Sequence, residues 1–269
     1  MRIQDVRVLI VRAPGTNCDW ETALAFKTLG VSVDVVPFSR LVREKHRIDT
    51  YDVFVIPGGF SYGDFVRAGA ILGKKLVAKL GKELTEFLRE GKPIIGICNG
   101  FQVLVEAGLL PGRPELKVAL TANLSMRYEC RWTIVKKVNR GRCKLLDEVS
   151  EGMLLRIPVG HGEGRFVTES DQVLRRLIED DYVVFRYCKL DGSYAEGEYP
   201  WNPNGSVYDI AAICNDEGNV LGMMPHPERA FFKWQLPDWT RSRADMVSDV
   251  LADGALVFKS IVKYVSRRL

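Results

Sequence analysis

Four apolar runs of strand length, at residues 6–11, 31–36, 53–56 and 94–97, divide the first part of the chain, and stretches with helical spacing lie between them. One such stretch, 20–29, aligns Ala23, Leu24, Phe26 and Leu29 on one face and is closed by Gly30, a favourable residue just past a helix end. A longer one carries Leu72, Leu76, Leu80, Leu84, Phe87 and Leu88 at the helical period, and a third follows at 101–107. Strands separated by helices cannot pair as tight hairpins. They form parallel βαβ units with right-handed crossovers.

The pattern then changes. Strand signals recur at 132–138, 153–159, 182–188, 208–214 and 220–224, with turn-like Asn139-Arg140-Gly141 and Asp191-Gly192 between some of them. Only a short helix near 171–178 and a final one through Val257, Phe258, Ile261, Val262 and Val265 fit here. The expected fold is α/β: a mainly parallel twisted sheet flanked by helices, with a more antiparallel portion. No Gly/Ser-rich or Pro-rich linker and no repeat interrupts the chain, so residues 1–269 read as one domain. A chain of 269 residues buries roughly three quarters of its unfolded surface, so no metal or disulfide is needed as a staple.

Charge and cysteine usage narrow the function. The net charge is +4 with Lys and Arg scattered, which argues against a nucleic-acid binder. No run approaches the ~20 apolar residues of a membrane span, and the first apolar run is too short for a signal peptide. The six cysteines (Cys18, Cys98, Cys130, Cys143, Cys188, Cys214) show no C-x-x-C pair, so reduced thiols and a cytoplasmic location are expected. None of His46, His161 and His226 sits at metal-ligand spacing from a cysteine, so no metal is expected. Gly69 to Lys75 is one spacer short of a P-loop, and no G-x-G-x-x-G follows the first strand, so no nucleotide cofactor is expected in this chain. The basic residues Arg131, Lys136, Lys137, Arg140, Arg142 and Lys144 read as a solvated strand edge, with a docking surface as the lesser alternative.

Chemistry concentrates at three places. Gly96-Ile97-Cys98-Asn99-Gly100 is a G-x-nucleophile-x-G elbow with cysteine as the central residue. It sits where a strand hands over to a helix, whose dipole favours a thiolate by roughly 0.3–1 kcal/mol. That is too little alone, so a base is required. Met224-Pro225-His226-Pro227-Glu228 supplies one: an extended segment would point His226 and Glu228 to the same side. Cys98, His226 and Glu228 then form a nucleophile–base–orienter triad. Pro57-Gly58-Gly59 ends the third strand and brings a backbone N–H beside that of Asn99, a pair suited to an oxyanion. If the Asn99 backbone N–H receives the oxyanion, Asn99→Ala is expected to be mild where folding and substrate binding are otherwise intact, and Asn99→Pro severe; equal loss in both would point to a side-chain role. Taken singly, each place also fits a plain structural role: a buried thiol, a loop histidine, a tight turn.

These residues resemble the triad (class I) glutamine amidotransferases, a flavodoxin-like fold, and within them the glutaminase subunits of phosphoribosylformylglycinamidine synthases of purine biosynthesis. The resemblance runs through Ala13 to Asp19, Gly58 to Asp64 with Arg67 to Ile71, Gly96 to Gln102, His161 to Phe166, Asn204 to Ser206 and Gly222 to Ala230. It implies that Cys98 attacks the glutamine side-chain amide, His226 carries the proton and Glu228 orients it. Gly58, Gly59, Asn99, Gln102 and His161 are implied at the substrate site, with Cys18 structural. The implied product is ammonia for a separate ATP-dependent synthetase that converts formylglycinamide ribonucleotide to formylglycinamidine ribonucleotide. ATP and Mg belong to that partner, and a small bridging subunit is implied as well. The stretches 186–203 and 231–251 are longer than the family pattern. Two rivals remain open: another Cys-His-Glu hydrolase (an intracellular peptidase or stand-alone amidase), and a non-catalytic interaction subunit.

Overall fold

In the first apolar run every residue from Val8 to Val11 is buried, as a strand covered on both faces requires. The computed structural model describes residues 2–43, 47–241 and 250–268; His46 and residues 242–249 of the long stretch 231–251 lie outside them. Strand β1 (Arg7–Arg12) pairs in parallel with β2 (Ser32–Pro37) and β3 (Val53–Ile56), and β3 pairs in parallel with β4 (Ile94–Ile97). Between them run α1 (Asp19–Thr28), α2 (Phe38–Arg43) and α3 (Ala70–Arg89), and α4 (Asn99–Glu106) follows β4. The chain leaves β1 for β2 on one side and returns to β3 on the other. Right-handed crossovers therefore put α1 and α3 on opposite faces, and the reversal opens a crevice at the carboxyl ends of β1 and β3. A bridge between Thr16 and Gly59 closes the two loops on each other there.

The second part adds β5 (Val118–Thr121), β6 (Glu129–Lys137), β7 (Leu154–His161), β8 (Arg165–Thr168), α5 (Asp171–Glu179), β9 (Val183–Cys188), β10 (Ile210–Cys214), β11 (Val220–Met223) and α6 (Gly254–Arg268). Among the described residues nine strands share one sheet in the order β2-β1-β3-β4-β11-β10-β9-β6-β7, and β5 pairs with β8 apart from it. Pairing is parallel from β2 to β11 and antiparallel from β11 to β7. The parallel and antiparallel parts foreseen from the sequence are thus two regions of one sheet. The joint is β11, which returns beside β4 with Gly222 level with Gly96. Phe26 of α1 meets Phe258 of α6 edge-on at 4.9 Å, and Phe54 of β3 meets Phe87 of α3 at 6.4 Å. Among the described residues no helix is long and apolar enough to cross a membrane.

Several expectations need correction. Leu24 is 54% exposed: α1 turns Thr22, Ala23, Ala25 and Phe26 inward, small residues where it approaches the sheet. The strand expected from 208 starts at Ile210, because Val207–Asp209 is a 3-10 turn with Tyr208 at φ 53°. The short elements α2, β5 and β8 carry too few residues to show a period. The basic cluster is no solvated edge, since β6 lies between β9 and β7. Lys137 is buried, its ammonium donating to the carbonyls of Leu146 and Val149 at 3.0 and 2.6 Å. Lys136 donates to Gly192 O, Arg131 pairs with Glu129, Arg140 with Asp181 and Arg142 with Asp216. Lys136 and Lys137 thus tie loops to the sheet.

Candidate active site

Cys98 follows the last residue of β4 and immediately precedes α4, at φ 50° and ψ −105°. A non-glycine residue held there costs on the order of 1–3 kcal/mol, so the surrounding packing must impose it. Gly100 shows how: a Cβ there would collide with the carbonyl of Ile56, so only glycine lets α4 start tight against β3. The thiol is 4% exposed and points to the carbonyl of Gly160 on β7, 3.4 Å away.

His226 stands just past β11, the strand beside β4, and its backbone N–H donates to Pro158 O at 2.8 Å. Glu228 orients the ring, with Nδ1 donating to Oε1 at 2.5 Å, and both side chains are buried. The route differs from the extended segment expected: Pro227–Ala230 is a 3-10 turn, and the turn swings Glu228 back under the ring. Burial alone would push the imidazole's proton affinity down. The negative Glu228 carboxylate, followed by the thiols of Cys98 and Cys18, outweighs it and holds the His226 pKa well above the ordinary value. A buried ring of high proton affinity against a thiol is the acceptor that thiol attack requires.

Cys18, read from the sequence as a structural thiol with no base of its own, lies beside His226 and Glu228. It leaves the β1 loop at the N-terminus of α1, in the crevice where winding reverses. Its sulfur accepts from Arg229 Nη2 at 3.1 Å, and Arg229 is tied in turn to Glu21 at 3.0 Å. Burial, first, pushes its thiol pKa up, while contact with His226 pulls the other way. A Cβ on Gly58 would lie 2.8 Å from His226 Cε1 and 3.0 Å from Cys18 Sγ, so glycine is what permits this approach. The sequence signal for it was the pair of Gly-containing turns after β1 and β3. Linking them required the strand order.

The Asn99 side chain has a second role that the elbow pattern does not reveal. Its Oδ1 accepts from Ser61 N at 3.1 Å, and its Nδ2 donates to Asp64 Oδ1 at 3.1 Å and Gln102 Oε1 at 3.0 Å. It therefore fastens the Gly58-Gly59 loop to α4. Gln102 continues the tie, Nε2 donating to Glu163 O at 2.5 Å. His161 faces inward: Nδ1 donates to Asn123 Oδ1, Nε2 accepts from Asn204, and burial, then the charge of His226, pushes its pKa down to about 3. A neutral ring with both nitrogens occupied supports the loop around it.

Asp64 carries the clearest pH signature. Burial, then the nearby Glu163 carboxylate, raises its pKa to about 6 against the hydrogen bonds from Gly69 N–H and Asn99. A raised carboxyl pKa means that the folded state binds the proton more tightly than the unfolded chain, so stability contributed here falls as pH rises from about 4 through about 6. Denaturant midpoints of wild type and Asp64→Asn should therefore diverge in favour of the variant as pH rises through that window. Parallel curves would refute the assignment.

Residues 5–265 match the family described as the CobB/CobQ-like glutamine amidotransferase domain. The chain is 42% identical to phosphoribosylformylglycinamidine synthase subunit PurQ of Archaeoglobus fulgidus, over 98% of each chain. It is 43% identical to the subunit of the same name from Methanothrix thermoacetophila, over 98% of this chain and 99% of that one. Among solved structures, that of PurLQS from Thermotoga maritima contains a chain 32% identical to it, with a TM-score of 0.70 over 97% of this chain and 99% of that one.

Proposed function

This chain belongs to the CobB/CobQ-like glutamine amidotransferase family, and we propose that it is the glutaminase subunit of a phosphoribosylformylglycinamidine synthase. The observation that carries the reading is the buried meeting of Cys98, His226 and Glu228 at the ends of two adjacent parallel strands, β4 and β11. Cys98 passes its proton to His226 and its sulfur attacks the side-chain amide carbon of L-glutamine. The amide oxygen takes the negative charge and accepts from the backbone N–H groups of Gly59 and Asn99, each such donor contributing about 2.7–4 kcal/mol in comparable acyl transfers. His226 returns the proton to the departing nitrogen, which leaves as ammonia, and a γ-glutamyl thioester remains on Cys98. Water, deprotonated by His226, then releases glutamate.

The ammonia serves a synthetase subunit that binds ATP and Mg and aminates formylglycinamide ribonucleotide, with a small bridging subunit between the two. The relatives' names support the first partner. The chain acts as one domain over residues 1–269, in the cytoplasm, with no cofactor of its own. The test is to assay glutamate release with and without a synthetase subunit of this family, and to label with a glutamine-analogue electrophile. Synthetase-stimulated turnover and an adduct on Cys98 support the reading. Peptide cleavage without the partner supports a hydrolase of another kind, and absence of the adduct in the assembled complex overturns an enzymatic role.

A further inference from the structure

His226 faces a second sulfur that takes no part in the bond changes of glutamine hydrolysis. Cys18 Sγ, a ring nitrogen of His226 and a carboxylate oxygen of Glu228 all lie within 4.8 Å of one another. The three side chains are 1%, 2% and 1% exposed, and two of their atoms, His226 Nε2 and Glu228 Oε2, are buried with no hydrogen-bond partner. Buried polar atoms are almost always satisfied. Transfer of the Cys98 proton accounts for His226 Nε2, but nothing in glutamine hydrolysis accounts for Glu228 Oε2, which is left for a ligand. Thiolate, imidazole and carboxylate together form a donor set for Zn²⁺ and its neighbours in the transition series. Donors around one tetrahedral zinc stand about 3.5 Å apart, as follows from its usual bond lengths, so modest side-chain adjustment closes the set.

We propose that Cys18, His226 and Glu228 form an inhibitory site for a thiophilic divalent cation, with Zn²⁺ the preferred occupant. Binding at Nδ1 releases the Cys18 thiol proton to solvent and moves the proton held between His226 and Glu228 to Nε2, the nitrogen that would otherwise accept from Cys98. The Arg229 guanidinium at the sulfur opposes the incoming charge but favours the thiolate, and its pairing with Glu21 reduces the opposition. A ring committed to the metal can no longer accept the Cys98 proton, so turnover stops while the metal stays. A water completes four-coordination. The site was invisible to sequence spacing because its cysteine comes from the first βα loop and its other ligands from the loop after β11.

The coordination does not depend on the substrate assigned above; only its inhibitory consequence does. The metal-free full chain is titrated with Co²⁺, following the thiolate-to-cobalt charge-transfer band, and then with Zn²⁺ as competitor. Wild type and Cys98→Ala should both show a band that Zn²⁺ abolishes, and Cys18→Ser should lose it. In the glutaminase assay, Cys18→Ser should turn over in chelator yet need about tenfold or more Zn²⁺ for half-inhibition, the least that loss of a direct ligand costs. A band kept by Cys18→Ser and lost by Cys98→Ala overturns the site, as does equal Zn²⁺ sensitivity of Cys18→Ser and wild type. Should Cys18→Ser fail to fold, the Cys98→Ala titration still decides: no band there rejects Cys18 as a ligand.

Discussion

Replacing Glu228 by glutamine should lower glutamine turnover by about three to four orders of magnitude, the loss seen when a triad's orienting carboxylate becomes an amide. Volume and burial are conserved, so the fold should survive. Two things change at His226. The amide no longer fixes the proton on Nδ1, so the tautomer that leaves Nε2 free to accept is lost. The negative charge that outweighs desolvation also disappears, and burial then pulls the ring's proton affinity down. The loss should fall in kcat with the glutamine KM nearly unchanged, because Glu228 is sequestered under the ring. Steady-state kinetics read the split, and a histidine NMR titration reads the fall in His226 pKa. A loss below tenfold would falsify the orienting role.

Asn99→Ala should be far from mild. With its carboxamide removed, the buried Ser61 N–H loses its acceptor, and Asp64 and Gln102 each lose a donor. Leaving a buried group unsatisfied costs about 1–3 kcal/mol, which urea denaturation should register. The larger effect is on activity. Ser61 follows the Gly58-Gly59 loop closely, so an untied loop misplaces the Gly59 N–H that receives the oxyanion. A misplacement of about 1 Å costs on the order of a hundredfold in rate. Asn99→Pro, which also removes the Asn99 N–H, should fall further still. An Asn99→Ala variant with near-normal kcat and midpoint would return the role to the backbone alone.

How much of this was legible in the chain depends on the range of the interaction involved. The four parallel strands of the first part lie within a residue of their expected bounds, because apolar runs ended by glycine and proline are strong local signals. The grouping of Cys98, His226 and Glu228 was legible too, since a glycine-flanked cysteine and a Pro-His-Pro-Glu run each restrict their own backbone. Its geometry was less so: Glu228 reaches His226 through a 3-10 turn, which depends on the residues packed after it. Lys137 looked like surface because lysine usually is. Its burial follows from β6 being interior, and strand order is not written in any single strand.

The sequence by itself pointed to an α/β chain with a cysteine at a strand-to-helix elbow, a histidine to serve it and a carboxylate to hold the histidine. Those are matters of dihedral limits and side-chain period, which act over a few residues. Only the tertiary structure decided which of the six cysteines stand at that histidine. The reversal of winding between β1 and β3 carries Cys18 to His226, and Gly58, having no side chain, lets them approach. It also decided that Asn99, Gln102 and His161 hold the loops of the site together, because each finds its partners on segments far away in the chain. Such contacts form only when the whole sheet sets the distances, and no local preference encodes them.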